Sequence, residues 1–405
     1  MVRAPAANAS SAVAEIQGLY GAFSFPEKLL QKIWLRGDFD RTRAFTTDGR
    51  LVRIVHPGKW NLLGGPDFSA ARLAFGGERE LTGDVEVHLH AGDWDAHGHA
   101  RDRAYDGVAL HVVLFPPERG RVTRGAGGRE ISVLALLPLL HHDLEEYAAE
   151  EAVEVLANRP SLRVVEELAS VAPREVDTLL RRHAHVRWRQ KIHFARLRVQ
   201  RLGWDAACHH AALEILGFRF NRAPMLRLAG GHPLAEWTRS AVDVDALFAE
   251  EAGAWSLQGV RPANHPRVRL RQYAAWTRAV ANWPERLAAI ATTLPAIDLA
   301  AETRAIRRAH GFAALSARIA DEVCGGAVSG PRFDTLVCDG LLPLLAARTD
   351  AKLDGLWFHW FAGDLPPFVT AALRQLAVCD GRTQSSCHGF AQGVLGWLIE
   401  RDAQR

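Results

Sequence analysis

The chain sets Asp67 directly after Gly64, Gly65 and Pro66, then puts Asp84, Glu86, His88 and His90 on alternate positions of "GDVEVHLH". An extended strand sends every second side chain to one face. These four polar groups therefore share a face, and Val85, Val87 and Leu89 take the other. Carboxylates and imidazoles are the groups that hold divalent ions and move protons. Asp67 and Glu86 belong to adjacent strands of a predicted hairpin, so their carboxylates converge at one end of a sheet. Asp84 and Glu86 on one face repel each other unless a cation intervenes, which favours a metal at that end.

The elements that must position these residues are legible from periodicity. "SFPEKLLQKIWLRGDF" predicts a helix with Leu29, Leu30, Ile33 and Trp34 on its apolar face, and Ser24 with Glu27 has the spacing of a capping box. Strands are expected over residues 51–56, 70–75 and 81–90. A short helix or turn capped by Asp93 follows. The apolar run "VALHVVLF" at 108–115 suits a buried strand, and "EISVLALLP" is the last strand. Between them, "PPERGRVTRGAGG" has the composition of a mobile loop. Beyond residue 140 strand signals give way to Leu-, Ala-, Arg- and Glu-rich segments with helical spacing, punctuated by Pro173, Pro224, Pro262 and Pro295. The expected organisation is a frayed tail at 1–15, an α/β domain at 16–140, and an all-helical region at 141–405 in one or two subdomains.

Pro66-Asp67, followed after a hairpin by Glu86-Val87-His88, resembles the PD-(D/E)XK nuclease superfamily. The order helix, three strands, helix, strand is similar to that superfamily's core. The implied fold is a restriction-endonuclease-like mixed sheet with flanking helices, followed by the all-α region. The implied activity is metal-dependent cleavage of nucleic acid, with Mg²⁺ or Mn²⁺ held by Asp67, Glu86 and the carbonyl of Val87. His88 stands where the superfamily usually has lysine, and supplies positive charge only if nearby carboxylates raise its pKa. It is otherwise a general base, or a ligand for a softer ion. Lys59, just upstream, is a candidate replacement if its loop folds back. Glu27 matches an acidic first-helix residue that often joins the metal site, although the helix cap is the simpler role. Over most of its length, through "PGKWNLLGGPDF", "GDVEVH", "DWDAHGHARDRAYDGVALHVV" and "RPANHPRVRLRQ", the chain also resembles an uncharacterised bacterial family of unknown function.

Several further residues have two readings. His97 and His99 are two apart and cannot share a helix face, so they form either a polar turn or loop-borne ligands. His111, inside an apolar strand, reads as a satisfied core histidine, and Tyr105 as packing. The run at 181–201 holds eight Arg or Lys and no acid. Arg187, Arg189, Lys191 and Arg196 there, with Arg267 and Arg269 further on, either bind a phosphate backbone or balance acids elsewhere.

Whole-chain properties set few limits. The 405 residues, 48% hydrophobic and 23% charged with a net charge of +3, describe an ordinary globular chain. No stretch approaches the roughly 20 apolar residues of a membrane span, and the cytoplasm is the expected location. Five scattered cysteines do not read as a disulfide framework. Cys379, Cys387 and His388 are the only cluster of them that hints at chelation. Three functions therefore stand: a metal-dependent nuclease, a silent nucleic-acid binder of the same fold, and a histidine-dependent metallohydrolase of a small molecule.

Overall fold

A computed structural model describes residues 13–18, 21–157, 165–166, 168–169, 171–239, 241–258, 260–349, 351–375, 378 and 386–403. Two compact units divide between Ala148 and Ala149. The first carries a mixed sheet with flanking helices, and the second is helical. The division falls later than the change in composition at residue 140. Tyr147 still packs in the first unit's core, and its hydroxyl donates to the Asp38 carbonyl at 2.8 Å.

The first unit opens with a hairpin of β1 (Val13–Gly18) and β2 (Gly21–Pro26), which begins inside the expected tail. Its register pairs Val13 with Pro26 and Glu15 with Ser24. Extended backbone therefore runs up to Pro26, and the helix α1 (Glu27–Arg36) starts only after it. The Ser24–Glu27 capping box does not form: Ser24 is in a strand, Pro26 is the N-cap, and no side chain caps the helix. Glu27 is thus free of the capping role. Leu29, Leu30, Ile33 and Trp34 are buried as the periodicity requires.

The sheet that follows contains β3 (Val52–His56), β4 (Lys59–Trp60), β5 (Phe68–Phe75), β6 (Leu81–His88), β7 (Val108–Val113), β8 (Thr123–Arg124) and β9 (Glu130–Ala135), in the order β3-β5-β6-β7-β9-β8 with β4 on β5. β3, β5 and β6 are antiparallel, whereas β6, β7 and β9 run parallel. A parallel pair needs a crossover, and residues 89–107, with the short helix α2 (Asp93–Ala96), supply it. Val85, Val87, Leu110, Val112 and Leu134 pack with the apolar stripe of α1. On the opposite face Trp94, from the crossover, packs with Val108 and Ile131. Polar residues of β6 on that face are therefore enclosed.

Two irregularities aim the site. At β5 the partners jump from Phe68–Val85 to Ala71–Gly83, a bulge in which Ala70 takes φ 54°. Asp84 accepts the Ala70 N–H at 3.1 Å and so holds the bulge, a structural role in place of the expected metal-favouring one. At the other end β6 stops at His88, two residues short of the expected limit. The chain turns there, the His90 N–H donates to Asp93 Oδ2 at 2.9 Å, and the exposed His90 ring stacks on Phe115. Asp93 ties the turn and is not the N-cap of α2, which is Gly92.

The second unit is built on a 30-residue helix, Pro173–Leu202. Its core includes Trp188, Trp237, Trp276, Trp283, Trp357 and Trp360. Pro224 lies inside the helix Phe218–Gly231, which kinks at Asn221, so it bends a helix where a boundary was expected. Cys208, Cys324, Cys338 and Cys387 are free and buried. Cys379 lies outside the described residues. No helix among the described residues is long and apolar enough to cross a membrane.

Candidate metal centre

Asp67 precedes β5 and is fixed by the hairpin it opens. Its backbone N–H donates to Glu86 Oε2 at 3.0 Å, and its Oδ2 accepts the Val87 N–H at 3.1 Å. Gln31, one turn along α1 from Glu27, donates through Nε2 to Asp67 Oδ1 at 2.8 Å and accepts from Trp60 Nε1 at 3.2 Å. Asp67 and Glu86 are thus joined across the hairpin through the Asp67 backbone N–H. Val87 contributes its N–H to this junction. Glu27 joins them from α1: its Oε2 is buried and has no hydrogen-bond partner among the described residues. Burial, then the charges of Glu86 and Asp93, push the Glu27 carboxyl up to about 8. Burial, then Glu86 and Glu27, push Asp67 up to about 8 as well. Three carboxyl groups crowded this way require protons or a cation among them.

The second oxygen of Glu86 faces histidines. Glu86 Oε1 lies 3.3 Å from His99 Nε2 and 3.5 Å from His88 Nε2. His88 Nε2 is also 3.1 Å from His97 Nδ1 and 3.3 Å from His99 Nε2. The ligand atoms of His88, His97 and His99 all lie within 4.8 Å of one another, a grouping able to hold a metal ion. His97 and His99 reach one point because Gly98 between them takes the left-handed conformation at φ 75°, which turns the chain between α2 and a short 3-10 turn. Glu86, His88 and His99 are 5%, 1% and 8% exposed, and His97 is exposed.

Behind His88 stands a buried relay. His88 Nδ1 meets His111 Nε2 at 3.0 Å, and His111 Nδ1 meets Thr123 Oγ1 at 3.0 Å. His111 is a satisfied core histidine, as its strand suggested, but the partner it satisfies is His88. The parallel register sets His111 beside Glu86, a pairing invisible to local periodicity. Thr123 lies in the segment whose composition reads as a loop, where it pairs with Ile131 in the sheet. Tyr105 stacks on His99 with ring centres 3.8 Å apart. Burial and the neighbouring carboxylates, Glu86 first, push its phenol upward.

His88 does not supply lysine-like charge. Burial, then His111, His99 and His97, push its pKa down to about 2, the reverse of the rise that a carboxylate neighbour would cause. His111 falls to about 3 for the same leading reason. Neutral imidazoles present lone pairs, the form that binds metals. Lys59 does not replace the lysine by folding back. It is exposed on β4, opposite Ser69, and has no hydrogen bond or ion pair with the carboxylates among the described residues.

Four of the six basic candidates bond within the helical unit. Arg187 Nε donates to Gln392 at 3.1 Å, and Lys191 pairs with Asp339 at 2.7 Å. Arg267 pairs with Asp245 at 3.1 Å and covers the Phe248 ring. The buried Arg269 donates to Gln272 and Asn264. Arg189 and Arg196 are exposed. His388 lies 3.8 Å from Asp339, and with burial leading, its pKa falls to about 4.

The fold and site define an α/β protein with a buried carboxylate–histidine centre on a mixed sheet. Residues 27–253, more than half of the chain, match the model of a family described as "Protein of unknown function (DUF2851)", and the chain belongs to that family. No curated protein and no solved structure matches it.

Proposed function

We propose that the α/β unit is a divalent-metal-dependent hydrolase of phosphodiesters, as in a nuclease. The observation that carries this reading is the double use of Glu86, with one oxygen tied to Asp67 and the other facing His88 and His99. A carboxylate group (Glu27, Asp67) and an imidazole group (His88, His97, His99) meet at that one side chain. The buried Glu27 Oε2, without a hydrogen-bond partner among the described residues, is the mark of a site that expects a proton or a cation. When bound, a divalent ion neutralises charge on the phosphoryl oxygens and makes water a stronger acid. Glu86 would help hold the ion, Asp67 would orient Glu86, and Glu27 Oε2 would hold the proton exchanged with the leaving oxygen.

The phosphodiester class is favoured by two features. An acidic residue on the first helix, an Asp opening one strand, a Glu on the next and a parallel strand beyond follow the order expected of the PD-(D/E)XK core. Arg101 and Arg103 are exposed cations in the turns that carry His99 and Tyr105, suited to a phosphate approaching the exposed His97. The test is incubation of the purified chain with a chromogenic phosphodiester and with single- and double-stranded DNA and RNA, in Mg²⁺, Mn²⁺ or Zn²⁺. Turnover that is abolished by chelation and by Glu86→Gln supports the reading. Absence of turnover on every diester in every metal overturns it.

A further inference from the structure

We infer that the ion of this site is a Zn²⁺-class transition metal, held tetrahedrally by His88 Nε2, His97 Nδ1, His99 Nε2 and Glu86 Oε1. This deepens the hydrolase reading and rests on it for the reaction, whereas the ligand set rests on geometry alone. Around His88 Nε2 the separations are 3.1 Å to His97 Nδ1, 3.3 Å to His99 Nε2 and 3.5 Å to Glu86 Oε1. Between His99 Nε2 and Glu86 Oε1 the separation is 3.3 Å. A tetrahedral ion with ligands at about 2.0–2.1 Å spaces its ligand atoms by about 3.3–3.4 Å. Octahedral Mg²⁺ with similar bond lengths brings neighbouring ligands to about 2.9 Å. These spacings fit four of the tetrahedron's six edges, and the exposed His97 closes the other two when its ring turns towards His99 and Glu86.

Hydrogen bonding alone does not account for the cluster. An imidazole nitrogen donates or accepts one hydrogen bond in the ring plane. His88 Nε2 nevertheless faces three polar atoms, while its Nδ1 is already engaged by His111. One of the three can be satisfied through a proton, and the others remain opposed around the buried His88 ring. A cation at the centre satisfies all four atoms together. Three imidazoles and one carboxylate suit zinc and its neighbours in the transition series, whereas magnesium prefers oxygen.

The surroundings have the form of a supporting shell. The chain His88–His111–Thr123 leaves the Nε2 lone pair of His88 pointing inward when Thr123 accepts from His111 Nδ1. The Asp67 N–H fixes Glu86 Oε2, and Tyr105 holds the His99 ring by stacking. The three enclosed ligands form a floor, and the exposed His97 gives the ion and a substrate a way in. Asp67, whose two oxygens accept from Gln31 and Val87, is a positioning residue and not a ligand.

The test uses the full chain, stripped by chelator and titrated with Zn²⁺, Co²⁺ and Mg²⁺. The expected result is one Zn²⁺ or Co²⁺ per chain, with the intense visible bands of tetrahedral cobalt. His97→Ala, at an exposed position, should keep the circular dichroism spectrum. It should weaken binding beyond the roughly 10–100-fold typical of losing a supporting partner. Asp67→Asn should retain both the stoichiometry and the tetrahedral bands. Octahedral cobalt bands, or binding lost with Asp67→Asn and kept with His97→Ala, would overturn the assignment, as would failure to bind either metal. Tight zinc at the histidines without diester cleavage would sink the hydrolase reading alone. Magnesium-dependent cleavage without zinc binding would sink this one alone.

Discussion

Replacing Asp67 by Asn in the metal-free protein should alter stability with a sign that depends on pH. Folding moves this carboxyl from 3.8 to about 8, chiefly through burial and then through Glu86 and Glu27. The folded state therefore binds the proton more tightly than the unfolded chain. The stability from that proton is fully present below pH 4 and is lost as pH rises towards 8. By pH 8 the loss amounts to roughly 5 kcal/mol, at about 1.4 kcal/mol for each pH unit above 3.8. Asparagine has no proton to lose, so the variant should escape that decline. It pays a different cost. Its carbonyl can still accept from Val87 N–H, but its amide confronts the Gln31 amide, and a flip of Gln31 gives up the Trp60 hydrogen bond. One lost hydrogen bond costs about 1 kcal/mol. Asp67→Asn should therefore be about 1 kcal/mol less stable than wild type at pH 3.5 and about 4 kcal/mol more stable at pH 8. Hydrogen exchange of peptides spanning residues 68–88, corrected for intrinsic rates, reads this directly. The same destabilisation at both pH values would refute the reasoning, because it would mean that Asp67 is not forced to carry a proton.

Three other outcomes follow from the same geometry. Gly98→Ala should cost about 1–2 kcal/mol, because an alanine at φ 75° is strained, and should spread His97 from His99, weakening metal binding in a titration. His88 and His111 are held near pKa 2 and 3, below the unfolded value of 6.5. The unfolded chain therefore takes up protons first, and the metal-free α/β unit should lose stability as pH falls below about 6.5. Hydrogen exchange at pH 6.5 and 5 checks this in Glu27→Gln/Asp67→Asn protein, where the carboxyl trend is removed. Lys191→Met should lower the stability of the helical unit in urea by breaking the pair with Asp339, while a nucleic-acid mobility shift stays unchanged.

Much of the α/β unit is legible in the sequence because its signals are local. The alternation in β6, the apolar stripe of α1 and the meeting of Asp67 with Glu86 all follow from periods of two and 3.6 residues within one hairpin or one helix. The remainder depends on distant pairings. His111 and Thr123 reach His88 through the parallel register of β6, β7 and β9, which local spacing does not encode. Glu27 has a plausible cap partner three residues away, and only the β1–β2 register shows that Ser24 is committed to a strand. His97 and His99 look incompatible as a ligand pair under helical spacing, and the left-handed Gly98 removes that restriction. The basic run at 181–201 suggests a phosphate surface. Its fate depends on Gln392 and Asp339, far along the chain, which take up Arg187 and Lys191.

The most direct measurement of the central claim is anomalous X-ray scattering from a crystal of the full chain equilibrated with zinc. One peak is expected, within bonding distance of His88 Nε2, His97 Nδ1, His99 Nε2 and Glu86 Oε1. A peak among Glu27 and Asp67 with the histidines uncoordinated, or no peak in the α/β unit, would contradict it.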